Sequence, residues 1–138
     1  TFSLIRAEAG QTGNPRQILE NVNRYLLNMN TLDTYVTLLY AVLDYRTGTV
    51  TYSRAGHPLP IVLEREGGVI PLEMDKGQPL GLFDTVMIDQ KQVVIPPGGL
   101  ALFYSDGLNE AANDAGDEFG VERIRRVTSI HGVYRFEK

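Results

Sequence analysis

Hydrophobic residues in the first quarter of the chain recur at helical spacing. Asn14 and Pro15 suit the N-cap and first position of a helix, and the pattern predicts an amphipathic helix over Pro15–Asn30. Its apolar face contains Ile18, Val22, Tyr25, Leu26 and Met29. Its polar face contains Arg16, Gln17, Glu20, Asn21, Asn23, Arg24 and Asn28, with Glu20 and Arg24 as an i,i+4 ion pair. The apolar face either packs on a sheet or serves as a partner surface, for example in a homodimer. A shorter helix over Thr1–Gly10 precedes it.

The period then changes from helical to extended. Thr34–Leu43 is apolar and β-branched almost throughout, which predicts a central strand covered on both faces. Turn signals separate the further predicted strands, which are Thr49–Arg54, Pro60–Glu64, Val69–Leu72, Thr85–Ile95 and Leu100–Tyr104. Asp75–Phe83 reads as a loop. A last helix runs from Val121 to about Ser129, and the tail His131–Lys138 shows no pattern.

This order of elements predicts the fold class. Two helices, about six strands with short connections and one helix favour an α+β fold with a largely antiparallel sheet or pair of sheets, and with helices on the outside. The 138 residues suffice for one domain with a core, so we expect a single domain over 1–138.

Composition removes several classes of function. The net charge of −4 argues against a nucleic-acid groove or an anionic membrane surface. The absence of cysteine excludes disulfides and thiolate metal sites, which suits a cytoplasmic protein. No apolar run reaches the length of a membrane span. We therefore expect neither nucleic acid nor membrane as a partner.

Asp106 is the strongest candidate for chemistry on local grounds. The apolar run Leu100–Tyr104 predicts a strand buried on both faces, and it ends abruptly in Ser105, Asp106 and Gly107. Asp-Gly is also a common hairpin signal, but the small polar stretch Leu108–Asp117 does not resemble a returning strand. A carboxylate at the end of a strand suits a hard cation, so Asp106 is the candidate metal ligand.

Other polar residues carry weaker signals. His57, between Gly56 and Pro58, is either an acid, base or ligand, or more commonly a residue that hydrogen-bonds its own turn. The loop carboxylates Glu110, Asp114 and Asp117 do not match a calcium-loop spacing, and solvated side chains are the default for them. No catalytic acid, base or nucleophile is assigned.

Three motifs together resemble a known family. They are the AGHP element at Ala55–Pro58, the GQPLG element at Gly77–Gly81 and the YSDGLNEA element at Tyr104–Ala111. In this order and at this spacing they resemble the stage II sporulation protein E-type phosphatases, a bacterial branch of the metal-dependent 2C-like superfamily. The resemblance runs through most of Thr1–Ser129.

The resemblance implies a fold and an activity. The fold would be a four-layer α-β-β-α sandwich of two antiparallel sheets. The reaction would be hydrolysis of phosphoserine or phosphothreonine on a regulatory protein, such as an anti-sigma-factor antagonist, by water activated by two Mn²⁺ or Mg²⁺ ions. Asp106 matches the family's metal-binding aspartate, and the elements around His57 and Pro79 match ones that we interpret as structural.

Two family elements have no match in the chain. One is an N-terminal Asp-Val-x-Gly-x-Gly-type element that supplies a bridging aspartate, and the other is a C-terminal Asp-Asp-x-Thr element. We therefore expect the domain to be truncated at both ends, to lack terminal strands and to be inactive on its own. The alternatives are a non-catalytic relative used for binding or dimerisation, and an unrelated β-rich binding module whose SDG is only a turn.

Overall fold

The computed structural model describes residues 2–29, 35–73 and 77–131. The predicted starts of elements at Thr34 and Asp75, the predicted helix end at Asn30 and the tail after His131 lie outside the described residues. The helices are α1 Phe2–Ala9, α2 Pro15–Met29, α3 Asp106–Asn109 and α4 Gly120–His131. The strands are β1 Leu38–Asp44, β2 Thr49–Ala55, β3 Ile61–Leu63, β4 Val69–Ile70, β5 Gln90–Val94 and β6 Leu100–Leu102.

The first of two compact units comprises residues 1–57 and 73–93. Its sheet has the strand order β1-β2-β5, and β1 and β2 form an antiparallel hairpin whose register pairs Leu38 with Ala55 and Asp44 with Thr49. Helix α2 packs on this sheet, and α1 packs on α2. The core lies between the helices and the sheet and contains Ile18, Leu19, Val22, Ala55, Leu80, Val86 and Ile88.

Helix α2 begins as predicted but buries a different set of residues. The Asn14 side chain caps it by accepting a hydrogen bond from the Gln17 N–H at 3.0 Å. The predicted apolar face is wrong toward its C-terminal end, where Tyr25 and Met29 are 45% and 69% exposed. The polar face is wrong at Asn23, which is only 1% exposed.

The predicted ion pair between Glu20 and Arg24 on α2 is also wrong, because Glu20 has a different partner. Glu20 pairs with Arg16, one turn before it, at 2.7 Å. Arg24 instead donates to the side-chain oxygen of Asn21. Both arrangements join side chains one turn apart on the helix surface, so spacing alone does not choose between them.

Strand β1 departs from its prediction as a doubly covered central strand. Among the described strands it lies at an edge of its sheet, and β2 occupies the centre. Its last residues are open to solvent, with Leu43 56% exposed. The apolar run reflects one face that packs against the helices through Leu38 and Tyr40, not burial on both faces.

The second unit comprises residues 58–72 and 94–138. Its sheet has the order β4-β3-β6, and β6 runs antiparallel to β3 with Leu102 opposite Ile61. Ile61, Leu63 and Ile124 of α4 form its buried cluster. Leu102, Tyr104 and Phe119 pack against that cluster and are partly exposed.

Two predicted strands in the later part of the chain are longer than the strands that the structure contains. Strand β6 covers only Leu100–Leu102 of the predicted run, and it is not buried on both faces, because Leu100 and Phe103 are 41% and 50% exposed. The predicted strand Thr85–Ile95 is a strand only over Gln90–Val94, preceded by an isolated bridge at Ile88.

The predicted fold class is confirmed at the level of elements. The structure contains two three-stranded antiparallel sheets and helices, an α+β architecture. Within the ranges that the structure describes, no helix is both long and apolar enough to cross a bilayer.

Candidate functional site

The candidate ligand Asp106 is the first residue of the single-turn helix α3. Strand β6 ends at Leu102, and Ser105 takes an extended conformation, with φ −108° and ψ 166°, as the N-cap. The turn closes through Leu108 N–H donating to Ser105 O and Glu110 N–H donating to Asp106 O, both at 2.9 Å. The chain thus leaves the strand into a helix, and the hairpin alternative is wrong.

The pKa of the Tyr104 phenol is affected by two nearby charges of opposite sign. It packs against the buried cluster of the second unit and is partly buried. Burial raises the pKa of Tyr104, the charge of Arg125 lowers it and the charge of Asp106 raises it again. Asp106 and Arg125 therefore both act electrostatically on one phenol, which stays neutral at physiological pH.

Asn109, the last residue of α3, carries an orphaned polar atom. Its side-chain oxygen Oδ1 is buried and has no hydrogen-bond partner among the described residues. Asn109 follows Asp106 by three positions, which places the two residues on one face of the helix turn. The sequence signal was available, since Asn109 stands in the YSDGLNEA element, but nothing in the pattern distinguishes it from a solvated loop residue.

The other carboxylates near this turn have local roles or face solvent. Glu110, Asp114 and Asp117 are exposed. Asn113 organises their loop, because its Oδ1 accepts from Ala115 N–H at 3.0 Å and from Asp117 N–H at 2.9 Å. The default interpretation of these three residues as solvated loop carboxylates agrees with this geometry.

The described carboxylates do not by themselves complete a metal centre. Within residues 2–29, 35–73 and 77–131, the structure brings together no group of three or more His, Cys, Asp or Glu side chains that could hold an ion. A hard divalent cation usually takes six or more oxygen ligands, part of which are waters. In the turn after β6 the described chain offers the Asp106 carboxylate as a candidate ligand, which is too little for the two-ion site that the resemblance implies.

His57 belongs to the first unit and makes a structural contact. Its ring nitrogen Nδ1 lies 3.4 Å from Thr37 Oγ1, a long hydrogen bond. Gly56 just before it has φ +70°, and a Cβ there would meet the ring of Pro79 at 3.0 Å. The Gly56 N–H also donates to Gly77 O at 2.8 Å. The AGHP and GQPLG elements therefore pack together, in keeping with their interpretation as structural.

Comparison with known proteins identifies the family. The sequence profile described as Stage II sporulation protein E (SpoIIE) matches residues 1–134. The chain belongs to the SpoIIE family. Membership places it among the 2C-like protein phosphatases, as the three motifs indicated.

Individual relatives of this SpoIIE domain are distant in sequence. Protein IcfG of Synechocystis sp. is 28% identical over 90 residues, which cover 65% of this chain and 14% of IcfG. A crystal structure of the RsbU and RsbW domains of Rv1364c from Mycobacterium tuberculosis matches with a TM-score of 0.75 and 22% identity, over 94% of this chain and 36% of that one. The chain thus spans about a seventh and about a third of these two proteins, and the structural match shows a shared fold.

The SpoIIE domain also contains a buried polar contact that the sequence analysis missed. Asn23 of α2 accepts a hydrogen bond from Gly81 N–H at 2.8 Å and donates one to Phe83 O at 2.9 Å. This clasp ties α2 to the last residue of the GQPLG element and to Phe83, two residues after it. The only sequence signal was an asparagine at a position adjacent to the apolar stripe, which commonly faces solvent.

Beside this clasp lies an open groove of about 460 Å³. Two arginines and two carboxylates contribute to it, so that its charges balance. It is lined by Arg16, Glu20, Asn23, Arg24, Asp84, Thr85 and Val86. Neither Asp106 nor His57 contributes to it, and the predicted site residues are therefore not gathered around this groove.

Proposed function

We propose that this chain is part of the catalytic domain of a metal-dependent protein serine/threonine phosphatase. The observation that carries the proposal is the match of the SpoIIE family to residues 1–134, with Asp106 of the SDG triplet positioned on the first helical turn after β6. The substrate would be phosphoserine or phosphothreonine on a regulatory protein, and the enzyme would act in the cytoplasm.

Asp106 would be one of the carboxylates that hold Mn²⁺ or Mg²⁺, two ions being expected in the complete domain. Such ions activate water for attack on a phosphoryl group. The position of Asp106 supports this role, because its backbone is fixed by the hydrogen-bonded turn of α3 while its side chain remains partly accessible. Further ligands would have to join it, since the described carboxylates do not converge there.

The class of substrate follows from the family resemblance and from one relative. The motifs imply a phosphorylated anti-sigma-factor antagonist as the substrate. The solved relative from Mycobacterium tuberculosis contains an RsbU domain and an RsbW domain of one protein, Rv1364c. By analogy, we propose that the present domain works on a phosphoprotein partner within a similar regulatory system.

The test is phosphate release from a phosphoserine protein in the presence of Mn²⁺, measured with the intact protein. Asp106→Asn removes the charge of the carboxylate and keeps its shape, and we expect a loss of activity of at least about 100-fold. Asp114→Asn is the matched control, because it makes the same change at an exposed loop position. Equal rates for wild type and Asp106→Asn would refute the role of Asp106. A folded protein without any phosphatase activity would favour the non-catalytic relative.

A further inference from the structure

A small polar pocket lies where the end of α1 meets the second half of α2. Its volume is about 270 Å³, and all its lining residues belong to the first unit. They supply one carboxylate, one guanidinium, three carboxamides and one aromatic ring. The pocket is lined by Glu8, Gln11, Asn21, Arg24, Tyr25 and Asn28. Its lining thus combines one negative and one positive charge with uncharged polar groups.

The negative charge of the pocket is a buried one. Glu8 is only 3% exposed, and its carboxylate accepts a hydrogen bond from Asn21 Nδ2. In the ranges that the structure describes, no Lys, Arg or His forms an ion pair with it. A buried carboxylate is costly unless a cation or several donors compensate it, and here a neutral amide does so alone. Glu8 therefore retains acceptor capacity for a donor placed in the pocket.

The side chain of Asn21 shows which kind of group fits between the two charges. Its amide nitrogen donates to Glu8 Oε2, and its amide oxygen accepts from the guanidinium of Arg24. One small group with a donor and an acceptor close together thus spans carboxylate and guanidinium. An α-amino acid offers the same pair in charged form, because its ammonium and its carboxylate are attached to one carbon atom. Charge-assisted hydrogen bonds of this kind are stronger than those of a neutral amide.

We propose that this pocket binds a small polar α-amino acid, with its ammonium on Glu8 and its carboxylate on Arg24. A ligand with a single charge leaves the opposite charge of the pocket unpaired, so a zwitterion binds better than an amine or an acid. The carboxamides of Gln11 and Asn28 offer both donors and acceptors, which favours a hydroxyl or carboxamide on the ligand's side chain. The proposal does not rest on the proposed phosphatase activity, since Asp106 does not line this pocket.

The test is isothermal titration calorimetry of the intact protein with L-serine, L-asparagine and L-glutamine. We expect saturable binding of at least one of them, with a Kd between about 1 μM and 1 mM. N-acetylation of the best ligand removes its ammonium, and methyl esterification removes its carboxylate charge. Each change should weaken binding by at least about 10-fold. No saturable binding of any of the three up to about 10 mM, or equal binding of the blocked derivatives, would overturn the proposal.

Two variants connect the binding to this pocket. Glu8→Gln and Arg24→Gln each remove one of its charges, and we expect each to weaken binding by at least about 10-fold. Glu20→Gln and Arg6→Gln make the same changes on α2 and α1 at positions outside the lining, and they should leave the Kd within about twofold. Arg24 is exposed, so its variant keeps the test decisive even if Glu8→Gln destabilises the fold. An unchanged Kd for Arg24→Gln, folded by circular dichroism, would overturn the proposal.

Discussion

The Asn23 clasp gives the sharpest prediction about stability. Asn23→Leu removes the acceptor of Gly81 N–H and the donor to Phe83 O, while the residue stays buried against the core of the first unit. Both partners lose their hydrogen bond in the folded state, but the energetic cost differs because only one of them can bond to water instead. Gly81 is buried, whereas Phe83 is 44% exposed and its carbonyl can gain water.

The magnitude follows from these two exposures. A buried amide left unpaired costs about 1–3 kcal/mol, and the partly exposed carbonyl adds about 0.5–1 kcal/mol. We therefore expect the free energy of unfolding to fall by about 1.5–4 kcal/mol. For a domain of this size the Tm should fall by about 5–15 °C.

Urea unfolding followed by circular dichroism measures this loss as a shift of the midpoint at constant m-value. Asn28→Leu makes the same substitution at an exposed position of the same helix and should change the free energy of unfolding by less than about 0.5 kcal/mol. Hydrogen exchange should also become faster at Gly81. A midpoint for Asn23→Leu equal to that of Asn28→Leu would show that the clasp contributes nothing and would refute the reasoning.

Two further predictions concern close contact and pH. Gly99→Ala places a Cβ 2.7 Å from Leu63 O, and we expect a loss of about 1–3 kcal/mol in urea unfolding. Gly13→Ala meets nothing within 4 Å and should be neutral or slightly stabilising; equal effects of the two changes would contradict the packing described for Gly99. Burial, and secondarily the charge of Glu73, raises the pKa of Tyr52, so the unfolded state ionises first and stability should fall as pH rises above about 10. Tyr52→Phe should reduce this decline, as measured by Tm against pH, and an unchanged slope would exclude Tyr52 as its source.

Local sequence signals predicted the elements whose determinants lie close together in the chain. Asn14 and Pro15 predicted the start of α2, and Asn14 does cap it. The short connection between the predicted strands Thr34–Leu43 and Thr49–Arg54 favoured an antiparallel pair, and β1 and β2 do form a hairpin whose register follows from that tight connection. These features depend on backbone conformation and on hydrogen bonds within a few residues.

Burial was predicted less well because it depends on distant neighbours. The apolar runs of β1 and β6 indicated central strands, yet each lies at the edge of its described sheet. An apolar run reports that at least one face packs, and it does not report how many strands flank it. Tyr25 and Met29 fail for a related reason, since the helical period selects a face of α2 but does not report which turns of that face are covered by other elements.

The same contrast between local and distant determinants applies to the polar residues discussed above. Asp106 could be selected from sequence, since a carboxylate directly after an apolar run is a local pattern. Asn23 and Asn109 could not, because Asn23 bonds to a residue 58 positions away and the Asn109 side-chain oxygen has no hydrogen-bond partner among the described residues. Polar residues of this kind become visible only when burial and hydrogen bonds are known together.

The most direct test of the central claim is an experimental structure of the intact protein with Mn²⁺, with the ion located by anomalous scattering. We expect an ion bound to the Asp106 carboxylate at the start of α3. An Asp106 side chain in solvent, with Mn²⁺ bound at other residues or not at all under saturating conditions, would contradict the assignment of Asp106 as a metal ligand and the mechanism proposed for this domain.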